Sequence, residues 1–342
     1  MKKISFKDKD IFVGIDVHKK SWDIKILTAH TFQKQIHKTL PSPEFVANYL
    51  NAHYPQANFK CVYEAGFCGF WIQERLSKLG LNTIIVHPGD VPTTDKEKRF
   101  KDDRIDSKKL ALSLRSGQLM GIHIPSKQMQ RDRSLVRQRY QYASDERRMK
   151  NRITSHLDFY GIKIEEVDKN RYWSNSYVTK LERFASEHGD VVLDNYLNKL
   201  RKERDMSLYM TRELRELSKT DRYRQSFDLL RSIPGVGLLT AMVFLTEIGD
   251  ITRFKKDDHF IAYIGFIPGS HSSGEREYRT RISKRGNKRV RTALILSAWM
   301  SIRNNAEMAC YYENYRSSGK PANKAIVKIA RKLALRMKAV LR

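Results

Sequence analysis

Four acidic residues in the first third of the chain have the types and spacing needed to hold a divalent cation beside a phosphodiester. Asp16 lies in IFVGIDVHKK, Glu64 in CVYEAGFCGF, and Asp103 and Asp106 in KDDRIDSKKLA. The first two each close a short apolar run, Ile11–Ile15 and Phe59–Tyr63, that reads as a buried strand. The last two stand three apart at the start of a helical pattern, so both fall on one helix face. Taken singly, each acid reads as an exposed or capping residue, Asp103 for example as the N-cap of the following helix. Jointly, carboxylates from two strand ends and a helix face match a hard-metal site that can polarise phosphate oxygens. Asp102 adjoins Asp103 and could take its place; the spacing to Asp106 favours Asp103.

A second constellation lies near the far end, in HSSGEREYRTRISKRGNKRVR. Ser272, Ser273 and Gly274 are followed by Arg276, Arg279, Arg281, Lys284, Arg285, Lys288, Arg289 and Arg291. A serine hydroxyl attacks phosphorus only if its proton is removed and the charge developing on the phosphorane is neutralised. The arginines meet the second need. His271 is adjacent, but no His–Asp partner set is apparent, and on residues alone the Ser-Gly reads as a phosphate-contacting turn. Upstream, SIPGVGLLTAMVFLTEIGD places Gly235 and Gly237 in a tight turn before an apolar helix, as in a helix–hairpin–helix. Such a turn offers backbone N–H groups to a phosphate oxygen.

The elements that must position these groups fall into three regions. Residues 1–125 alternate strands (Ile11–Ile15, Trp22–Leu27, Phe32–Leu40, Phe59–Tyr63, Asn82–Val86) with helices (Pro43–Tyr54, Gly69–Leu79), the pattern of a mixed sheet with helices packed on it. The stretch from His87 to Arg99 reads as a loop. Residues 126–228 are nearly free of Gly and Pro and read as long helices, either a plain bundle or an antiparallel or intersubunit coiled coil with irregular heptads. Residues 229–342 hold the glycine turn, a short helix near His259–Tyr263, a long basic loop from Gly265 to Ile295, and a basic amphipathic helix, Ala322–Arg342. That last helix carries Ile326, Ala330, Leu333 and Met337 on one stripe.

The 342 residues include 65 Lys or Arg against 38 Asp or Glu, a net charge of +27. Residues 231–342 hold 22 basic and 8 acidic side chains, +14 of that total, whereas residues 126–230 mix 23 with 17. An excess of this size and sign points to a polyanionic partner. The N-terminus has neither a signal nor a transit pattern, and no apolar run is long enough to span a bilayer. Cys61, Cys68 and Cys310 form neither a paired framework nor a zinc motif. The expectation is a cytoplasmic, nucleoid-associated protein without membrane attachment.

Together, GIDVHKKSWDI, YEAGFCGF, DDRIDSKKLA, IPGVGLLTAMVFLTEIGD, FIAYIGFIPGSHSSGE and RISKRGNKRVRTALI resemble the DEDD-type insertion-sequence transposases, relatives of the Piv invertases described as bridge-RNA-guided serine recombinases. The resemblance covers essentially the whole chain. It implies a RuvC-like domain of ribonuclease-H fold (1–125), a coiled-coil assembly region (126–228) and a mostly helical transposase domain (229–342). It implies Mg²⁺ or Mn²⁺ on Asp16, Glu64, Asp103 and Asp106, and a nucleophilic serine at Ser273, with Ser272 next to it. Phosphate contacts would come from Gly235, Gly237 and the basic residues from Arg276 to Arg289. Partners would be donor and target DNA, a structured guide RNA and further copies of the chain, as a dimer or tetramer. Phe67 departs from the family's usual small residue or proline, and local repacking is expected there. The main alternative is a RuvC-like resolvase that uses metal-activated water; a non-catalytic nucleic-acid-binding protein is another. A sugar-kinase or actin-like ATPase shares the Gly-Ile-Asp strand end but would need a Gly-Thr phosphate turn where Val17 and His18 stand.

Overall fold

The structure, a computed structural model, describes residues 5–93, 103–163, 173–273, 276–282 and 285–342, without the side chains at 32–33, 103–104, 268–273 and 276–282. Residues Met1–Ile124 and Pro125–Arg342 form two separate units.

In the first unit, β1 (Asp10–Val17), β2 (Trp22–Thr28), β3 (Phe32–Thr39), β4 (Asn58–Glu64) and β5 (Asn82–Val86) make one sheet in the order β3-β2-β1-β4-β5. The first three strands are antiparallel neighbours, and β4 and β5 add on in parallel. Helices α1 (Pro43–His53) and α2 (Trp71–Lys78) supply the crossovers that parallel strands require. Strand alternation divides the residues between the two faces. Ile11, Val13, Ile15, Phe59, Cys61 and Tyr63 bury against Val46, Leu50, Ile72 and Leu76 of α1 and α2. Phe12 and Val62 face the other way, onto Ala111 and Leu110 of α3 (Asp103–Arg115). This mixed sheet with helices is consistent with a ribonuclease-H-like DEDD domain. Phe67 is 62% exposed with Lys19 over its ring, so its bulk requires no repacking of the core.

Gly14 is what lets α3 approach. A Cβ built there would lie 2.2 Å from the backbone oxygen of Ser107 and 2.6 Å from the nitrogen of Ala111. Neither backbone atom can move without shifting the helix. Gly14→Ala is therefore expected to destabilise the first unit by about 1–3 kcal/mol, seen as a lower urea midpoint for the full-length protein. An unchanged midpoint would show that α3 does not press on β1 there.

In the second unit, α4 (Lys127–Phe159) and α6 (Val191–Lys219) run antiparallel. Arg139 reaches Thr211, Arg204 reaches Glu146, and His156 reaches Asp190. The inward positions of α6 are Leu193, Leu197, Leu200, Ser207, Leu214 and Ser218. With Arg204 and Thr211 between them, these keep an alternating four-three spacing. The heptads look irregular in sequence because the middle of that stripe is polar. Helix α5 (Asn175–Glu187) closes a small core with both.

A larger core gathers α7 (Arg224–Arg231), α8 (Leu238–Ile248), α9 (Asp257–Ile264), α10 (Lys288–Asn304), α11 (Ala306–Ser317) and α12 (Ala322–Val340). The stripe Ile326, Ala330, Leu333 and Met337 is buried as its spacing predicts. Much of the basic face of α12 is engaged within the molecule. Lys332 lies over the Tyr311 ring, Lys328 over Tyr315, and Arg336 pairs with Glu307.

The long basic loop expected from Gly265 to Ile295 is instead an antiparallel hairpin followed by a helix. Strands β6 (Pro268–Ser273) and β7 (Arg276–Ile282) pair with Ser273 opposite Arg276, and α10 begins at Lys288. Charge at four of the seven β7 positions hides the β-branched and aromatic signal of Tyr278, Thr280 and Ile282. Asn287 starts α10 by accepting the Arg289 and Val290 amides on its side-chain oxygen.

Candidate active site and nucleic-acid interface

Asp16 and Glu64 stand at the C-terminal ends of adjacent parallel strands. The pairs Gly14–Val62 and Ile15–Tyr63 make Asp16 and Glu64 the next neighbours in register. By alternation both fall on the face that α3 covers. Gly14, two residues before Asp16, meets Ser107, and Asp103 opens α3 one turn ahead of that contact. Asp16 accepts a hydrogen bond from His18 at 3.1 Å, and Asp106 pairs with Lys109 at 3.1 Å. Asp102 and the side chain of Asp103 lie outside the described residues. Among the described residues no three His, Cys, Asp or Glu side chains gather closely enough to hold a metal. The donor set itself, carboxylates at strand ends beside a helix start, has the oxygen chemistry that Mg²⁺ or Mn²⁺ takes.

Two buried polar residues in β2 escaped the sequence reading. Asp23 pairs in register with Asp16 across the antiparallel ladder, is 4% exposed, and accepts from His37 Nδ1 at 2.8 Å. Lys25, opposite Gly14, is also buried, and that burial, reinforced by the nearby Lys108 charge, lowers the pKa of its ammonium. A charge in an otherwise apolar strand was the available signal. Cys61 is an inert core thiol, pushed up to about 12 by its burial.

In the second unit, Ser272 and Ser273 end β6 at the hairpin turn, opposite Glu277 and Arg276. Arg276, Arg279 and Arg281 lie along β7, and Lys284 falls outside the described residues. Arg285 precedes α10, whose first turn holds Lys288 and Arg289 and no acid. Cations there oppose the positive end of the helix dipole, an arrangement that an anion relieves.

The glycine turn joins α7 to α8. Gly235 has φ +90°, and a Cβ there would lie 2.3 Å from Ser301 Oγ, so this glycine is needed for packing against α10. Gly237 caps α8 with no side-chain acceptor, and Arg231 closes the turn by donating to the Val236 carbonyl at 2.8 Å. Beside the turn lies a cavity of about 710 Å³ lined in part by Leu296, Met300, Arg139, Arg147 and Arg231. None of its lining residues is acidic.

Two family models match the chain in the order of these two regions. Residues 13–162 match a transposase model of the IS110 DEDD type, and residues 227–313 match the model described as the transposase IS116/IS110/IS902 family. A putative transposase, y4qE, of Sinorhizobium fredii is 28% identical over 69% of this chain and 57% of its own length. The transposase for insertion sequence element IS1533 of Leptospira borgpetersenii is 29% identical over 71% of this chain and 70% of its own. The transposase for insertion sequence element IS1111A of Coxiella burnetii is 28% identical over 64% and 59% respectively. The chain thus spans little more than half the length of the first and third of these relatives. Among the described residues no helix is long and apolar enough to cross a membrane.

Proposed function

We propose that this chain, which belongs to the IS110/IS116 family of DEDD transposases, is the recombinase of an insertion element and cuts and rejoins DNA through a serine-linked intermediate. The observation that carries the reading is the parallel pairing of Ile15 with Tyr63, which sets Asp16 and Glu64 next in line at adjacent strand ends, beside a helix whose first turn bears Asp103 and Asp106. These four carboxylates would hold a divalent ion, which when bound supplies Lewis-acid polarisation of phosphate oxygens. Ser273 is the nucleophile. Its Oγ bonds to phosphorus as the bond from phosphorus to the 3′-oxygen breaks, and the hydroxyl proton ends on that leaving oxygen. The products are a 5′-phosphoserine and a free 3′-hydroxyl, and attack by another 3′-hydroxyl reverses the step on a new partner strand. Arg276, Arg279 and Arg281 neutralise the charge that develops at phosphorus.

Phosphates away from the reacting centre are held by the Gly237 end of α8, by Lys284, Arg285, Lys288 and Arg289, and by the arginines of the adjoining cavity. Gly235 acts there by shaping the turn. With +14 in the last third, these surfaces suit an element-encoded structured RNA as well as DNA, and base pairing by that RNA would choose the site. The working particle is a homo-oligomer, a dimer or tetramer. Replacing Arg139 and Arg147 together by Glu is expected to weaken nucleic-acid binding. The slope of log K against log salt should become shallower by about 0.9 for each phosphate that is no longer neutralised. Unchanged affinity and slope would remove the cavity from the interface.

The test of the reading is a denaturing gel of the protein incubated with supercoiled element-junction DNA and Mg²⁺. A protein–DNA adduct surviving detergent is expected. Cleaved DNA with free 5′-phosphates and no adduct would overturn the serine mechanism and favour water as nucleophile.

A further inference from the structure

The hairpin that carries Ser273 is held at both stems by one buried residue, Glu247, at one stem by its carboxylate and at the other by its backbone carbonyl. Glu247, in α8, is 1% exposed. Arg137 of α4 donates to both of its oxygens, at 2.7 and 2.9 Å, and Arg133 lies 3.7 Å away while donating to the neighbouring Thr246 carbonyl. Just past β7, Asn287 donates its side-chain amide to Glu247 Oε2 at 3.0 Å. Just before β6, Tyr263 donates its hydroxyl to the Glu247 carbonyl at 3.2 Å, and its own carbonyl accepts the Asn287 backbone amide at 2.8 Å. Between these stems the chain is pinched. A Cβ on Gly286 would lie 2.7 Å from the Gly265 backbone, so neither stem has room to slide.

A buried carboxylate is costly unless its partners are well placed, and with Arg137 on both oxygens Glu247 stays paired when the Asn287 amide alone is lost. Burial opposes the ionised form, but the Arg137 and Asn287 hydrogen bonds outweigh it and hold Glu247 below the usual carboxylate range. We infer that Glu247 is a positioning residue, fixing through Asn287 and Tyr263 the angle at which the Ser273 hairpin leaves the helical core. The leverage is geometric. At about 3.3 Å per residue, Ser273 stands roughly 17 Å from Pro268, so a stem tilt of only about 3–4° moves it by about 1 Å. A displacement of that size can cost about a hundredfold in rate. This inference rests on Ser273 being the nucleophile.

Asn287→Ser tests it, because serine keeps the cap of α10 while losing the amide that reaches Glu247. The full-length protein is compared with wild type for thermal midpoint, DNA affinity, single-turnover adduct formation at saturating DNA, and amide exchange along 268–282. The expected result is near-wild-type affinity and a small change in midpoint. Adduct formation should be slower by about tenfold to a hundredfold, with faster exchange confined to the hairpin. Tyr263→Phe, which loses only the other stem's hydroxyl, should act in the same direction and less than additively with Asn287→Ser. Wild-type adduct rates in Asn287→Ser, or a slowing matched by weaker affinity or a smaller folded fraction, would overturn the inference. If wild type itself forms no Ser273 adduct, the serine reading has failed. The exchange measurement then decides alone, and unchanged hairpin protection overturns the positioning role.

Discussion

Ser273→Ala is expected to abolish the covalent protein–DNA adduct and to slow strand cleavage by about 10³–10⁶-fold, the range over which losing a nucleophile stops covalent catalysis. DNA affinity should hardly change, because the substitution removes one hydroxyl at the end of β6 and none of the cations along β7. Ser272→Ala is the necessary companion. The two serines are adjacent in one strand, paired in register with Glu277 and Arg276 respectively, so the two variants must be compared to assign the role. Retained adduct in Ser272→Ala with loss in Ser273→Ala assigns the nucleophile. The reverse result moves the role by one residue and leaves the chemistry intact. Full cleavage by both single variants and by the double variant would end the serine mechanism, leaving attack by water at the carboxylate centre.

The first unit was legible in the sequence because its central strands β1 and β4 are buried on both faces and carry continuous apolar runs. Ile11–Ile15 and Phe59–Tyr63 sit inside β1 and β4, with the two acids at their ends where the pattern breaks. The hairpin was not legible, since Arg276, Arg279 and Arg281 interrupt β7 with charge that normally marks a loop. Glu247 was hidden for a related reason. One acid in the apolar run TAMVFLTEI looks like the exposed position of an amphipathic helix, yet all residues of α8 from Thr240 to Ile248 are buried. What compensates it comes from Arg133 and Arg137, more than a hundred positions away, and from Asn287, forty away. Asp23 escaped likewise, because its partner His37 lies on another strand. Periodicity reports which face of an element is apolar; it does not report which distant charges meet in the interior.

Asp16→Asn should be the most damaging single change in the first unit for activity, with little effect on folding. Asparagine keeps the volume and the hydrogen-bonding reach toward His18, now 3.1 Å from the carboxylate, and Asp16 is only partly buried, so no large unpaired burial cost arises. What is lost is the anionic oxygen that a hard divalent cation prefers. Cleavage and adduct formation are therefore expected to fall by about 10²–10⁴-fold at low Mg²⁺, in line with the loss of one strong electrostatic group at a reacting phosphate. The thermal midpoint should stay close to wild type. Glu64→Gln, at the adjacent strand end, should behave in the same way, and the double variant should be barely worse than either, because both losses disable one shared function. Manganese gives a second handle. Partial recovery in Mn²⁺ would mark the loss as one of metal affinity, since Mn²⁺ binds nitrogen and amide-oxygen ligands more readily than Mg²⁺ does. Wild-type cleavage by Asp16→Asn in limiting Mg²⁺ would remove the acids from the chemistry, whatever the serine does. Loss of DNA binding along with activity would instead place Asp16 in the scaffold of the sheet end, with the metal role refuted.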